Sequence, residues 1–193
     1  MPMAAEQQSN KRKPAVLFFA GPNGSGKSTI SNYVEKIGRY TNADDVVAST
    51  GMSNEDAARY VDEKRYESIV NGEDFTFETV LSSKYKLDIL NKAKESGYFI
   101  KCIFCLTVDP LINVGRVEAR VASGGHNVDK AKIIERYKKS LANIKELIKI
   151  CDILHVYDNT KDKPVRIIRK HKENFSIFPN DLWSEEKIMN LIR

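Results

Sequence analysis

The sequence predicts an α/β fold, a three-layer sandwich with helices on both faces of a mostly parallel central sheet. Three observations predict it. Gly21-Pro22-Asn23-Gly24-Ser25-Gly26-Lys27-Ser28-Thr29 fits the phosphate-loop pattern G-x-x-x-x-G-K-[ST]. Apolar runs of strand length recur along the chain, each followed by a segment with helical spacing. The longest run, Tyr98 to Val108, is apolar on both faces, as a central parallel strand requires.

The first strand is Ala15-Val16-Leu17-Phe18-Phe19-Ala20. The phosphate loop follows, and then Ile30, Tyr33, Val34 and Ile37 predict a helix to about Ile37. The glycines let backbone N–H groups turn toward an anion, and the helix N-terminus adds its positive end. Lys27 reaches the β- and γ-phosphates, and the Ser28 hydroxyl binds Mg²⁺. The alternative is a glycine-rich turn that binds nothing.

A short extended segment at Arg39-Tyr40-Thr41-Asn42 comes next, then a helix from Asn54 to Val70 with Ala57, Tyr60, Val61 and Tyr66 on its apolar face and Ser53 or Asn54 as cap. Phe75-Thr76-Phe77 reads as a strand, and Lys84 to Ser96 as a helix stopped by Gly97. After the central strand, Asp109 caps a helix that begins with Pro110 and carries Val114, Val117 and Val121. Gly124-Gly125 breaks it. Lys130 to Ile150 reads as one long helix, Ile153 to Tyr157 as a buried strand, Val165 to Ile168 as an edge strand and Asp181 to Ile192 as a short helix. The chain reads as one domain from Pro14 to Arg193, behind a disordered N-terminal segment (1–13) in which Lys11-Arg12-Lys13 is a solvated charge run.

The 193 residues suffice for one sizeable core, and 41% hydrophobic with 30% charged residues places the chain among globular proteins. The net charge of +5 admits a nucleic-acid partner or a nucleotide site rich in basic residues, and the second reading is preferred. The sequence shows no basic patch interleaved with aromatics of the kind that stacks bases, which argues against nucleic acid. Three cysteines do not make a disulfide framework and point to a reducing cytosol. Cys102 and Cys105 spell C-x-x-C inside a strand, where they face opposite sides and cannot share a metal. No apolar stretch is long enough to span a membrane, and the start of the chain lacks a signal-peptide core.

In a parallel sheet the strand ends gather polar residues beside the loop. Asn42-Ala43-Asp44-Asp45, Glu78-Thr79, Asp109 and Asp158-Asn159-Thr160 are all placed there. Transfer of a phosphoryl group to an alcohol needs a carboxylate that orients the hydroxyl and takes its proton. Asp44 is the candidate, its alternative being a helix cap or turn residue. Glu78 is the candidate for holding acceptor hydroxyls or assisting the metal, its alternative a surface acid at a strand end. Thr79 stands beside it as a further substrate contact. Asp158 can hold metal through water, or contact the nucleotide together with Asn159. Arg116 and Arg120 lie on one helix face, and Arg136 sits in the next helix across the glycines. This arrangement predicts a helical lid over about residues 110–140 whose arginines clamp the triphosphate, against the alternative of solvated surface arginines. His126 is read as a lid-anchoring residue.

These residues resemble the zeta-toxin family of P-loop kinases. The resemblance rests on Phe19 to Thr29, Asn42-Ala43-Asp44, Phe77-Glu78-Thr79, Gly115-Arg116-Val117 with Arg120-Val121, and Gly124-Gly125-His126-Asn127-Val128. It continues through Ile134, Arg136-Tyr137, Ser140-Leu141 and Tyr157-Asp158-Asn159, and covers about Val16 to Thr160. It implies a P-loop kinase-like sandwich that uses ATP and Mg²⁺ to phosphorylate the 3′-hydroxyl of the amino sugar in UDP-N-acetylglucosamine, and so interferes with cell-wall precursors. Asp44 matches the family's catalytic base, Lys27 and Ser28 its phosphate and metal residues, and Glu78 its acceptor-binding acid. Arg120 and Arg136 match the lid arginines. The short lid is similar to a compact branch once labelled only as predicted ATPases. The family also implies a separate-chain helical antitoxin as partner. The other readings of the residues are a P-loop kinase for another small molecule, a nucleoside or a nucleic-acid end, and a non-catalytic nucleotide-binding switch.

Overall fold

The computed structural model describes residues 12–125 and 127–193. The first eleven residues and His126, and the readings made of them, lie outside the described residues. Arg12 stays largely in solvent, 74% exposed, and its guanidinium also forks onto Asp74, which accepts the Ala15 N–H at 2.8 Å and so fixes the start of the first strand.

Seven strands form one sheet. They are β1 (Ala15–Ala20), β2 (Arg39–Thr41), β3 (Phe75–Thr79), β4 (Phe99–Leu106), β5 (Ile153–Asp158), β6 (Val165–His171) and β7 (Asn174–Ile177). Their order is β2-β3-β1-β4-β5-β6-β7. The first five pair in parallel, and β6 runs antiparallel to both β5 and β7. The connection out of β1 crosses to β2 on one side, while β4 lies on the other. The chain order reverses beside β1, and a ligand crevice opens at its carboxyl end.

The helices are α1 (Lys27–Ser31), α2 (Ala43–Thr50), α3 (Asn54–Asn71), α4 (Lys84–Glu95), α5 (Pro110–Ala122), α6 (Lys130–Ala142), α7 (Ile144–Ile150) and α8 (Glu185–Asn190). One face of the sheet builds the main core. Val16, Phe18, Phe75, Phe77, Ile100, Phe104, Leu154 and Val156 pack there against Leu87 and Leu90 of α4, Ile144 and Leu147 of α7, and Ile188 of α8. Phe18 and Phe77 stack with ring centres 5.2 Å apart. The opposite face is covered over β3, β1 and β4: Leu17, Phe19 and Ile103 meet Ile30, Val34, Ile37 and, from β5, Tyr157, while Thr76 of β3 is buried against Ile37, its hydroxyl accepting the Ile37 N–H and donating to the Ile37 carbonyl. Over β5–β7 that face carries no helix among the described residues, because a hairpin, not a helical crossover, joins β5, β6 and β7.

Several elements depart from the expected ones. The helix after the phosphate loop ends at Ser31, not Ile37. The Lys36 ammonium takes the Ser31 carbonyl that residue 35 would need to continue an α-helix, and Tyr33 and Val34 make tighter i to i−3 bonds instead. Tyr33 is consequently 88% exposed. The helix α2, begun by Asn42 whose side chain accepts the Asp44 N–H at 3.2 Å, was not expected. The long helix expected over 130–150 breaks at Asn143, whose amide donates to the Leu81 carbonyl at 2.8 Å. The strand β6 is not the edge, since β7 pairs outside it. Cys102 and Cys105 do face opposite sides, the first in the main core and the second toward the phosphate loop, where its thiol donates to the Ser25 carbonyl at 2.9 Å. All three cysteines are free and buried. No described helix is long and apolar enough to cross a membrane.

Candidate active site

The phosphate loop is held from below and from above. Gly21 adopts φ +138°, and a Cβ there would stand 1.9 Å from the Cys105 carbonyl oxygen. Gly24 adopts φ +75°, and its Cβ would meet the Asn113 carbonyl at 2.4 Å. The loop therefore threads between β4 and α5 where only glycine fits. Gly21→Ala is expected to cost about 2 kcal/mol or more and to abolish nucleotide protection against heat. Thermal melts with and without nucleotide check this. The amide of Asn113 donates to the Asn23 carbonyl (2.7 Å), and that of Asn159 to the Ser25 carbonyl (2.9 Å). Asn159 thus braces the loop from behind and does not line the cavity. Asp158, buried, accepts the Thr160 N–H and hydroxyl and closes a turn.

In front of the loop lies a cavity of about 880 Å³. Of the expected site residues, Asn23, Gly24, Gly26, Lys27, Ser28, Thr29, Asp44, Glu78, Thr79, Arg116, Arg120 and Arg136 line it. Gly21, Pro22, Ser25 and Asn159 form the wall behind. The volume is at the upper end for a small-molecule site.

Lys27 donates to the Pro22 carbonyl at 3.0 Å. Burial pushes its ammonium pKa down, while Glu78, Cys105 and Asp44 pull it up, so these groups share one electrostatic neighbourhood. Glu78 is nearly buried and accepts three hydroxyls: Ser28 Oγ at 3.1 Å, Ser31 Oγ at 2.5 Å and Tyr40 OH at 3.1 Å. The Tyr40 hydroxyl pKa is pushed well up, by burial first and by Glu78 and Asp45 next. Across the loop wall, burial pushes the Cys105 thiol up to about 12, so it stays a neutral donor. Asp44 stands in the first turn of α2 with its carboxylate exposed to the cavity. The N-cap is Asn42, so Asp44 is not spent on capping.

The α5–α6 hairpin, where the lid was expected, lines the cavity with Arg116, Arg120 and Arg136 and has its own small core of Val114, Val117 and Ile133. It is pinned at its base. The Tyr137 hydroxyl donates to the Thr107 carbonyl (2.6 Å), and Ser140 Oγ donates to the Val80 carbonyl (2.7 Å). Arg136 reaches Asn23 Oδ1 at 3.4 Å, and Arg116 donates to the Thr160 carbonyl at 3.2 Å. The remaining Arg116 NH1 is buried and donates to nothing among the described residues, as is the Ser25 hydroxyl. Orphaned donors beside a glycine cradle fit a bound phosphate chain. The Ser28 hydroxyl beside a carboxylate fits a hard, mostly hydrated cation, and the described residues hold no cluster of three or more His, Cys, Asp or Glu that would cage one.

Sequence reasoning missed the opposite wall. Asp62 on α3 accepts from Arg65 NH1 (2.8 Å) and from Lys86 Nζ (2.6 and 2.8 Å). Arg65 also donates to Thr41 Oγ1 at 2.9 Å and lies 4.4 Å over the Phe77 ring. Arg65 and Lys86 line the cavity on the side away from the lid. The i, i+3 spacing of Asp62 and Arg65 was legible, but their burial was not.

A strand–loop–helix phosphate cradle at the reversal point of a mostly parallel sheet, roofed by an arginine-bearing hairpin, defines a kinase-like P-loop protein. The chain belongs to the zeta toxin family, whose model matches residues 39–173. An uncharacterized protein of Haemophilus influenzae is 28% identical over 127 residues, which are 63% of this chain and 91% of that protein. Among solved structures, the AvrRxo1-ORF1:AvrRxo1-ORF2 complex with sulphate ions superposes with TM-score 0.66 at 15% identity, over 93% of this chain and 64% of that one. This chain thus spans less than two thirds of that neighbour. The PezAT chromosomal toxin-antitoxin system of Streptococcus pneumoniae gives TM-score 0.62 at 14% identity, over 97% and 91%. At such identities the likeness is one of fold.

Proposed function

We propose that this chain is an ATP- and Mg²⁺-dependent phosphotransferase of the cytoplasm that phosphorylates a hydroxyl of a nucleotide-activated sugar, UDP-N-acetylglucosamine, as the toxin of a pair with a separate antitoxin chain. The observation that carries the reading is a carboxylate, Asp44, exposed and without an ion pair among the described residues, facing the same cavity as the Lys27–Ser28 cradle and the lid arginines. The neighbours named as a toxin-antitoxin system and as a complex of two proteins, one of them also determined with ATP, support the partner and the nucleotide.

ATP with Mg²⁺ supplies the γ-phosphoryl group and shields its charge. Lys27 and the loop N–H groups hold the phosphates, and Ser28 supplies a metal ligand, with Glu78 orienting its hydroxyl. Asp44 accepts the proton of the acceptor hydroxyl as the new O–P bond forms and the bond to ADP breaks. Arg116, Arg120 and Arg136 stand over the phosphates, where charge develops, and the lid keeps water out. Thr79 and Glu78 border the acceptor side.

The test is mass spectrometry of reactions holding the protein, ATP, Mg²⁺ and UDP-N-acetylglucosamine. A product heavier by one phosphoryl group, absent with Asp44→Asn, is expected. ATP binding with no such product overturns the acceptor and leaves a kinase for another acceptor, or a nucleotide switch, to a panel of metabolites and nucleic-acid ends. Lys27→Ala is expected to weaken ATP binding and transfer together, because it removes a phosphate contact from both ground and transition states. Titration calorimetry and turnover check this, and normal turnover would remove the loop from the mechanism.

A further inference from the structure

The helix-free face of β5 and β6, extended by Lys101 near the start of the neighbouring β4, is basic and aromatic. Register places Lys101 opposite Ile153, Ile153 opposite His171, His155 opposite Arg169, and Tyr157 opposite Arg166, so all of them share one face. None of Lys101, Arg166, Arg169 and His171 forms an ion pair among the described residues, and no acidic residue occupies these positions. Their mutual proximity shows at His155. Its imidazole pKa is lowered by burial and then by Arg166, Lys101, Arg169 and His171 in turn. The rings of His155 and Tyr157 meet edge to face at 6.3 Å, and Arg166 lies 5.3 Å over Phe178. The Arg166 Nε is buried and donates to nothing among the described residues.

We propose that this open sheet face, built from Lys101, His155, Tyr157, Arg166, Arg169 and His171, binds single-stranded nucleic acid, phosphates on the cations and bases against the rings. Three adjacent strands span about 10 Å across the sheet, enough for two or three bases laid on it. The charge on this face is of one sign and forms no ion pair among the described residues, as suits a phosphate backbone. An acidic protein helix fits less well. It would have to bury five cationic or ionisable side chains, at high desolvation cost, against the modest apolar area offered by Ile153, Tyr157 and Phe178. The face lies on the side of the sheet away from the main core and contributes none of the residues lining the phosphate cavity. Binding here is thus separate from the proposed transfer chemistry.

Fluorescence anisotropy with a labelled oligouridylate of about ten nucleotides tests it. Wild type is expected to bind at low salt, with affinity falling steeply as salt rises. Arg166→Gln and Arg169→Gln should each reduce the salt slope by about one, and Tyr157→Ala should weaken binding about tenfold or more at fixed salt. Each variant is to keep the wild-type melting temperature and ATP affinity, and Tyr157→Leu replaces Tyr157→Ala if the latter unfolds. Saturating ATP should not displace the oligonucleotide. No binding by wild type, wild-type binding by the three variants, displacement by ATP, or equal binding of duplex DNA or polyglutamate would each overturn the proposal. These outcomes are independent of sugar phosphorylation, so failure here and failure of the kinase reading are separable.

Discussion

Asp44→Asn is expected to slow phosphoryl transfer by about 10²–10⁴-fold, the usual worth of a positioned general base, with ATP affinity unchanged and the melting temperature lowered by at most about 4 °C. The backbone supports this separation. The Asp44 N–H is capped by Asn42, and its exposed carboxylate adds to α2 only the charge of a first-turn acid, worth about 0.3–1 kcal/mol. Asparagine keeps the shape and one acceptor oxygen but cannot take a proton at neutral pH. Single-turnover rates with saturating ATP, beside calorimetric binding, check it. Glu78 is a poor substitute for this role, because three hydroxyls already occupy its oxygens. Transfer by Asp44→Asn at the wild-type rate would mean that the base lies elsewhere.

The largest stability effect is expected at Asp62. Its side chain is 5% exposed and that of Arg65 2% exposed, and Asp62 alone among the described residues pairs with both Arg65 and Lys86. Asp62→Ala leaves two facing cations in a poorly solvated wall, and loss of one member of a buried pair costs about 3–5 kcal/mol. Burial already disfavours both charged forms, lowering the pKa of Arg65 and of Lys86, and only Asp62 offsets this strongly. The three side chains tie α3 to α4 and, through Thr41, to the end of β2. That loss corresponds to a melting temperature lower by about 10 °C in a domain of this size. Urea unfolding at neutral pH checks it. An unchanged midpoint would mean that water reaches the wall and screens the charges.

Local patterns made much of this legible. The phosphate loop declared itself by glycine spacing, and the strand before it by unbroken apolar residues. Asp109 before Pro110 marked the start of α5, and its side chain does accept the Leu111 N–H at 2.7 Å. The cavity gathers Lys27, Ser28, Asp44, Glu78 and the three lid arginines, which the chain keeps far apart in sequence. What failed was set by distant partners. The helix after the loop stops because Lys36 folds back on Ser31. The helix over 130–150 breaks because Asn143 reaches Leu81, across 62 residues. The brace that Asn159 gives the loop is set the same way, by the Ser25 carbonyl 134 residues away.

The sequence by itself determined the phosphate cradle, the alternation of strands and helices, and the residue types that phosphoryl transfer requires, because each depends on neighbours within a few positions. Only the tertiary structure decided which charges are buried together, as at Asp62, Arg65 and Lys86, and which sheet face stays open. Strand register brings Lys101, His155, Arg166 and Arg169 onto one surface from three separate segments. No local pattern records that meeting, because pairing between distant strands is settled by the packing of the whole sheet.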